Sequence, residues 1–255
     1  MSTVETHVAA GVMTITLADE ERRNALGGQL TSELTAAFRK ADTDPDVRAV
    51  VLTNTGSVFC AGANLAERSS ERTPAAVVAP QDLFGHIRRS PKPYVGRIAG
   101  HCVAGGMGLA AACDISVAVD HARFGFTEVR LGVAPAVISV VCLPKMRPAD
   151  ARAAFLRGTR FSAADAARMG LINAAVPVDG LDAEVDAIVA DLLAGSPGAI
   201  AAAKQLLDRV PAMPVDEAFD WTADLSARLF ASDEAQAGMA AYLQKRKAPW
   251  APEGA

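Results

Sequence analysis

The 255-residue chain has no CxxC pair, no GxGxxG, no dense Lys/Arg block and no apolar run long enough to cross a bilayer. Each absence removes a class of function. The four cysteines, Cys60, Cys102, Cys113 and Cys142, are scattered through apolar surroundings. Zinc and redox chemistry therefore have little footing, and buried, reduced thiols are expected. A net charge of −4 without clustered cations leaves nucleic-acid binding unsupported. The longest apolar stretch, CVAGGMGLAAAC, lies between His101 and Asp114 and is too short and glycine-rich to span a membrane. The opening MSTVETHVAAG shows neither a basic region ahead of an apolar block nor arginine enrichment. No signal or transit peptide is expected, and the chain reads as cytoplasmic.

What remains is the composition of an ordinary globular protein, 51% hydrophobic and 21% charged. A chain of this length builds one large core, or a core with a helical appendage. ETHVAAGVMTITLA predicts a hairpin turning at Ala10-Gly11, and GQLTSELTAAFRKADTD carries Leu30, Leu34, Ala37, Phe38 and Ala41 at helical spacing. VRAVVLTNTG predicts a buried parallel strand. Strand, helix and strand in succession argue for an α/β core. AERSSERTPAAVVAPQ reads as a poorly packed connection, and Pro91 and Pro93 stop the helix before them. YVGRIAG and ISVAVD predict strands around a helix in AGGMGLAAACD, and ARFGFTEVRLG a short strand leading into a loop. Pro148 splits two helices, Ser162 and Ser232 read as N-caps, and the chain from Ser196 onward is mostly helical.

Two stretches have little but backbone to offer. SVFCAGANL and AGGMGLAAACD each follow a strand and expose small residues at its end. The first N–H groups of a helix lack internal acceptors, and glycine lets a ligand oxygen come close. Two such ends side by side would aim two amide donors at one point, an oxyanion hole suited to a thioester carbonyl that becomes an enolate.

VFCAGANL, AGGMGLAAACDISVA and FGFTEVRLGVAPA, in that order, resemble the motifs of the crotonase family, the enoyl-CoA hydratases and isomerases. The likeness runs from RNAL at 23–26 to YLQKRKAPW near the end. It implies an α/β fold, a crotonase-like ββα spiral core over 1–195, and a helical C-terminal oligomerisation region over 196–255. By the same resemblance the N–H groups of Ala63 and Gly105 form the oxyanion hole, and Glu128 is the catalytic acid, held in a partly apolar pocket that raises its pKa. Arg22, Arg23 and Ala25 are placed along coenzyme A, and Ala61, Asn64, Leu65 and Gly106 beside the thioester. Tyr242 is placed at the acyl pocket, and Lys245 at the coenzyme A of a neighbouring subunit.

One departure stands out. Two-carboxylate hydratases carry a second Glu where this chain has Gly108. The pattern is shared with single-glutamate members such as methylglutaconyl-CoA hydratase-like proteins. Glu67 is within reach of the pocket but reads as a solvated residue at a helix start, Asp114 as closing a helix-to-strand junction, and His101 and Cys102 as structural. The expectation is an enoyl-CoA hydratase working through Glu128 alone, with a double-bond isomerase and a non-catalytic acyl-CoA-binding protein as alternatives. Neither a metal nor a redox cofactor is implied, since coenzyme A arrives with the substrate. The assembly expected is a homotrimer or a dimer of trimers.

Overall fold

The structure, a computed structural model, describes residues 2–69 and 78–251. The first hairpin pairs β1 (Val4–Ala9) with β2 (Val12–Leu17), Val4 opposite Leu17. Its two-residue turn places Ala10 at φ 49° and Gly11 at φ 81°, the mirror-image geometry that matches strand twist. Along β2, Met13, Ile15 and Leu17 are fully buried while the residues between them are half-exposed. Helix α1 (Gly28–Thr43) covers that face with the five residues read from its spacing, all buried.

Strand β3 (Ala49–Asn54), buried along its whole length, is followed by the short β4 (Val58–Cys60) and helices α2 (Leu65–Arg68) and α3 (Pro80–Arg89). Then come β5 (Tyr94–Ile98), β6 (His101–Val103) and α4 (Gly105–Ala112), and after them β7 (Ile115–Val119), β8 (Arg123–Gly125) and α5 (Ala136–Cys142). A long strand, a short strand and a helix thus recur three times. Each long strand joins one sheet and each short strand a second one. The remaining core elements are α6 (Pro148–Arg157), β9 (Phe161–Ser162), α7 (Ala163–Arg168), β10 (Ala174–Val176) and α8 (Leu181–Ala194). The larger sheet has the order β1-β2-β3-β5-β7-β10 and the smaller β4-β6-β8-β9. Except for the antiparallel pairs β1·β2 and β8·β9, all pairings are parallel. This is the ββα spiral. The short strands are legible in the sequence; their assembly into a second sheet is not.

The helical end comprises α9 (Pro197–Arg209), α10 (Val215–Phe230) and α11 (Asp233–Leu243). Ser162 and Ser232 accept from the N–H groups of Asp165 and Ala235, as capping predicts. Buried Lys204 of α9 donates to Ile87 O (3.2 Å), Lys92 O (2.8 Å) and Asp114 Oδ2 (2.8 Å), and Asp114 also accepts from Tyr94 N–H. The junction role read for Asp114 holds, and it extends to anchoring α9. Helices α10 and α11 bury only Leu225 and Ala241, leaving Phe219 and Phe230 on their surface. Of the connection read as poorly packed, 70–77 lies outside the described residues. Among the described residues no single helix is long and apolar enough to cross a membrane.

Candidate active site

Parallel pairing of β4 with β6, Cys60 opposite Cys102, brings their C-terminal ends out side by side. Beyond them the two backbones touch. A Cβ on Gly62 would sit 2.6 Å from Ala104 Cβ and 3.0 Å from Gly105 N, and one on Gly106 would sit 2.4 Å from Cys60 O. Gly62 also adopts φ 89°, which glycine alone enters freely. Small residues here are a condition of the approach.

The approach leaves two amides free. Ala63 forms a parallel bridge with Leu26. Leu26 N–H donates to Gly62 O (2.7 Å) and Asn64 N–H donates to Leu26 O (3.4 Å). In such a bridge the flanking residues make the bonds, so the amide of Ala63 itself faces away from Leu26. Gly105 is the first residue of α4, and its N–H has no acceptor in the helix. Neither amide meets an acceptor among the described residues. Between them, Ala104 sits at φ 50°, ψ −122° without being glycine. Such a backbone costs on the order of 1–3 kcal/mol and persists only where its surroundings enforce it. Here Ala104 N–H donates to Gly125 O of β8 (3.0 Å), and its carbonyl accepts from Met107 N–H.

The bond to Gly125 also places the carboxylate. Three residues further on, Glu128 opens a 3-10 turn, Glu128–Leu131, where the sequence predicts a loop. Gly132, at φ 80°, closes it by donating to Glu128 O. The Oε2 atom of Glu128 is buried and has no hydrogen-bond partner among the described residues. Burial raises the pKa of this carboxyl above its ordinary 4.5, against a smaller opposing pull from a backbone hydrogen bond. Its charge is felt at Cys142 of α5, whose Sγ lies 3.7 Å from Met107 O of α4.

Gly108 follows Gly105 by three residues, on the same face of α4. A Cβ there would lie 2.6 Å from Phe84 Cζ and 2.7 Å from Ile138 Cγ2. The place of a second carboxylate is filled by hydrocarbon. The cysteines are free and buried, with burial pushing Cys60 and Cys113 up to about 12 and raising Cys102 and Cys142 above the ordinary thiol value as well. At neutral pH they are inert thiols.

The other sequence-predicted residues divide into two groups. Ala61, Asn64, Gly106 and the 22–26 loop gather around the two amides: Ala61 N–H donates to Arg23 O (3.1 Å), and Arg23 takes φ 53°. Arg22 and Arg23 are exposed, Arg22 lying 3.4 Å from Asp19, and Leu65 is exposed as well. Asn64 spends its side chain locally, its Oδ1 accepting from Glu67 N–H. Tyr242, 83% exposed, lies at the end of α11 and Lys245 just beyond it, and α11 packs on α10. Glu67 corrects the sequence reading. Instead of being solvated, it accepts from Gly28 N–H (2.8 Å) and from Asn64 Nδ2 (2.7 Å). The Asn-x-x-Glu spacing was the available signal, because it is the pattern of a helix start.

The fold is thus three ββα turns, with two amides that meet no acceptor among the described residues beyond β4 and β6, and a buried carboxyl oxygen on the turn after β8. Comparison with known proteins gives the class. The enoyl-CoA hydratase/isomerase family profile matches residues 7–253. A Thermus thermophilus protein to which enoyl-CoA hydratase activity is ascribed is 33% identical over 241 residues, covering 92% of this chain and 95% of that protein. The mevalonyl-coenzyme A hydratase of Aspergillus fumigatus is 32% identical over 250 residues, covering 94% and 92%. A crystal structure of enoyl-CoA hydratase from Mycobacterium smegmatis superposes with a TM-score of 0.91 at 30% identity, covering 97% of this chain and 98% of that one. The chain belongs to the enoyl-CoA hydratase/isomerase family, the crotonases.

Proposed function

We propose that the protein adds water to a 2-enoyl-CoA thioester with Glu128 as its single proton-transferring group. Two observations support this reading: among the described residues the amides of Ala63 and Gly105, where the ends of β4 and β6 touch, meet no acceptor, and a buried carboxyl oxygen of Glu128, three residues past the Gly125 carbonyl that holds Ala104, has no partner. The thioester oxygen accepts from both N–H groups. Ionised Glu128 takes a proton from water as the water oxygen bonds to the β-carbon, and the π electrons move onto the thioester as an enolate. Charge that develops on that oxygen is met by donors already in place. The protonated Glu128 then delivers its proton to the α-carbon, so one water is added and the carboxylate is regenerated. No metal or redox cofactor enters these steps.

The filled space at Gly108 also suits an isomerase, in which one carboxyl moves a proton between two carbons. A non-catalytic acyl-CoA-binding role sits poorly with Glu128, because a binder gains nothing from a buried carboxyl without a partner. We place Arg22, Arg23 and Ala25 along the coenzyme A, with Ala61, Asn64, Leu65 and Gly106 at the thioester end. Tyr242 and Lys245 serve a neighbouring subunit's site in a trimer or dimer of trimers built through 196–255. The exposed Phe219 and Phe230 support such an assembly. Four free buried thiols favour a reducing compartment, in keeping with the cytoplasm.

The test is absorbance of the conjugated enoyl thioester. Hydration removes it from a 2-enoyl substrate, and isomerisation creates it from a 3-enoyl substrate. Parent enzyme that does neither across substrates of varied length and branching would leave the binding role.

A further inference from the structure

We infer that Glu67 is a positioning residue for the Ala63 amide, acting as a clamp between the loop that carries this amide and the start of α1. Residue 63 has a methyl group and nothing else with which to fix the direction of its N–H. That direction is set by the two chain segments that flank it, 26–28 and 62–67.

Before Ala63, they are joined by Leu26 N–H donating to Gly62 O; after it, by Asn64 N–H donating to Leu26 O. Glu67 closes the far end with both oxygens. Oε2 accepts from Gly28 N–H at 2.8 Å and Oε1 accepts from Asn64 Nδ2 at 2.7 Å, while Glu67 N–H donates to Asn64 Oδ1 at 3.3 Å. The carboxylate substitutes for a missing cap. Gly27 stands at the N-cap of α1 with no side chain to offer, and Gly28 N–H would otherwise lack an acceptor. Gly27 also makes room, because a Cβ on it would lie 2.4 Å from Glu67 Oε1. A charge at the positive end of a 16-residue helix, tied to the residue next to the donor, holds the donor against the helix. Oxyanion donors have to be held to within about 0.5 Å, and a misplacement of about 1 Å costs on the order of a hundredfold in rate.

The inference rests on the oxyanion-hole reading above, and the experiment separates the two. Glu67→Ala and Glu67→Gln are compared with the parent for kcat, KM, the pH profile of kcat/KM, and the carbonyl stretching frequency of a bound acyl-CoA by isotope-edited infrared difference spectroscopy. Glu67→Ala is expected to lower kcat by about ten- to a hundredfold, with KM within about threefold. The carbonyl should lose part of its red shift, and the pH profile should keep its shape. Glu67→Gln retains an acceptor for Gly28 N–H and recovers part of both losses. If Glu67→Ala does not fold, Glu67→Gln carries the comparison, with a smaller fall in kcat and a smaller spectral change of the same sign. Unchanged kcat and carbonyl frequency in the variant that folds overturn the inference. So does a moved acidic limb, which would make Glu67 a proton-transfer group. A parent complex with no red shift at all overturns the oxyanion-hole reading, and the clamp with it.

Discussion

The ring of Phe84 stands where a side chain on Gly108 would have to go, its Cζ 2.6 Å from the Cβ position. Two residues on different helices thus compete for the space that a side chain at position 108 would need. The absence of the second acid is a packing property of the core, not a vacancy that one substitution can fill.

Gly108→Glu therefore should not yield a two-carboxylate hydratase. It is expected to destabilise the fold by about 1–3 kcal/mol from overpacking alone, and further by burying a carboxyl among Phe84, Ile138 and the α4 backbone. Thermal unfolding and enoyl-CoA turnover check this. A variant as stable as the parent would show that Phe84 moves aside.

Glu128→Gln should retain acyl-CoA binding and lose turnover by about a hundred- to ten-thousandfold, the range for removing a general acid–base group. In the parent, kcat/KM should fall on the acidic side as Glu128 protonates. Because burial raises this carboxyl above 4.5, that limb should lie above the usual carboxylate range. Initial rates across pH, with Glu128→Gln lacking the limb, are the measurement.

The same shift has a consequence for stability. The folded state holds the Glu128 proton more tightly than the unfolded chain does. As pH rises from about the ordinary 4.5 through the raised folded value, the folded state loses stability relative to the unfolded one. Glu128→Gln escapes this loss. Its stability advantage should grow through that window and stay constant above it, read as the difference in urea midpoint at several pH values. A variant that is less stable than the parent at neutral pH would mean that Glu128 has a native partner.

Gly62→Ala should damage both fold and rate. The new methyl meets Ala104 Cβ at 2.6 Å, and φ 89° is strained for alanine. Pushing the two strand ends apart moves both amides, so kcat should fall on the order of a hundredfold, with KM changing less. Equal losses in kcat and kcat/KM, measured at a temperature well below the variant's unfolding, would support this. An unchanged kcat would show that the 62–105 contact does not set the donors.

Much of this protein can be read without coordinates, for local reasons. The hairpin turns at Ala10-Gly11 because Gly11 enters a positive φ freely and the flanking strands hold Ala10 at φ 49° beside it. Helix α1 buries Leu30, Leu34 and Phe38 because their spacing places them on one face. Ala63, Gly105 and Glu128 stand out because three short motifs resemble, in order, those of the crotonase family. What folding alone decided lies between segments far apart in the chain. Strand β4 meets β6 some 40 residues later with only a few residues each to pair, too little for a periodic signal. Phe84 fills the space at Gly108 because α3 packs on α4. Glu67 caps α1 although 39 residues separate it from Gly28. Patterning reports the face that a residue shows to the core, whereas the neighbour it meets there is settled only when the whole chain closes on itself.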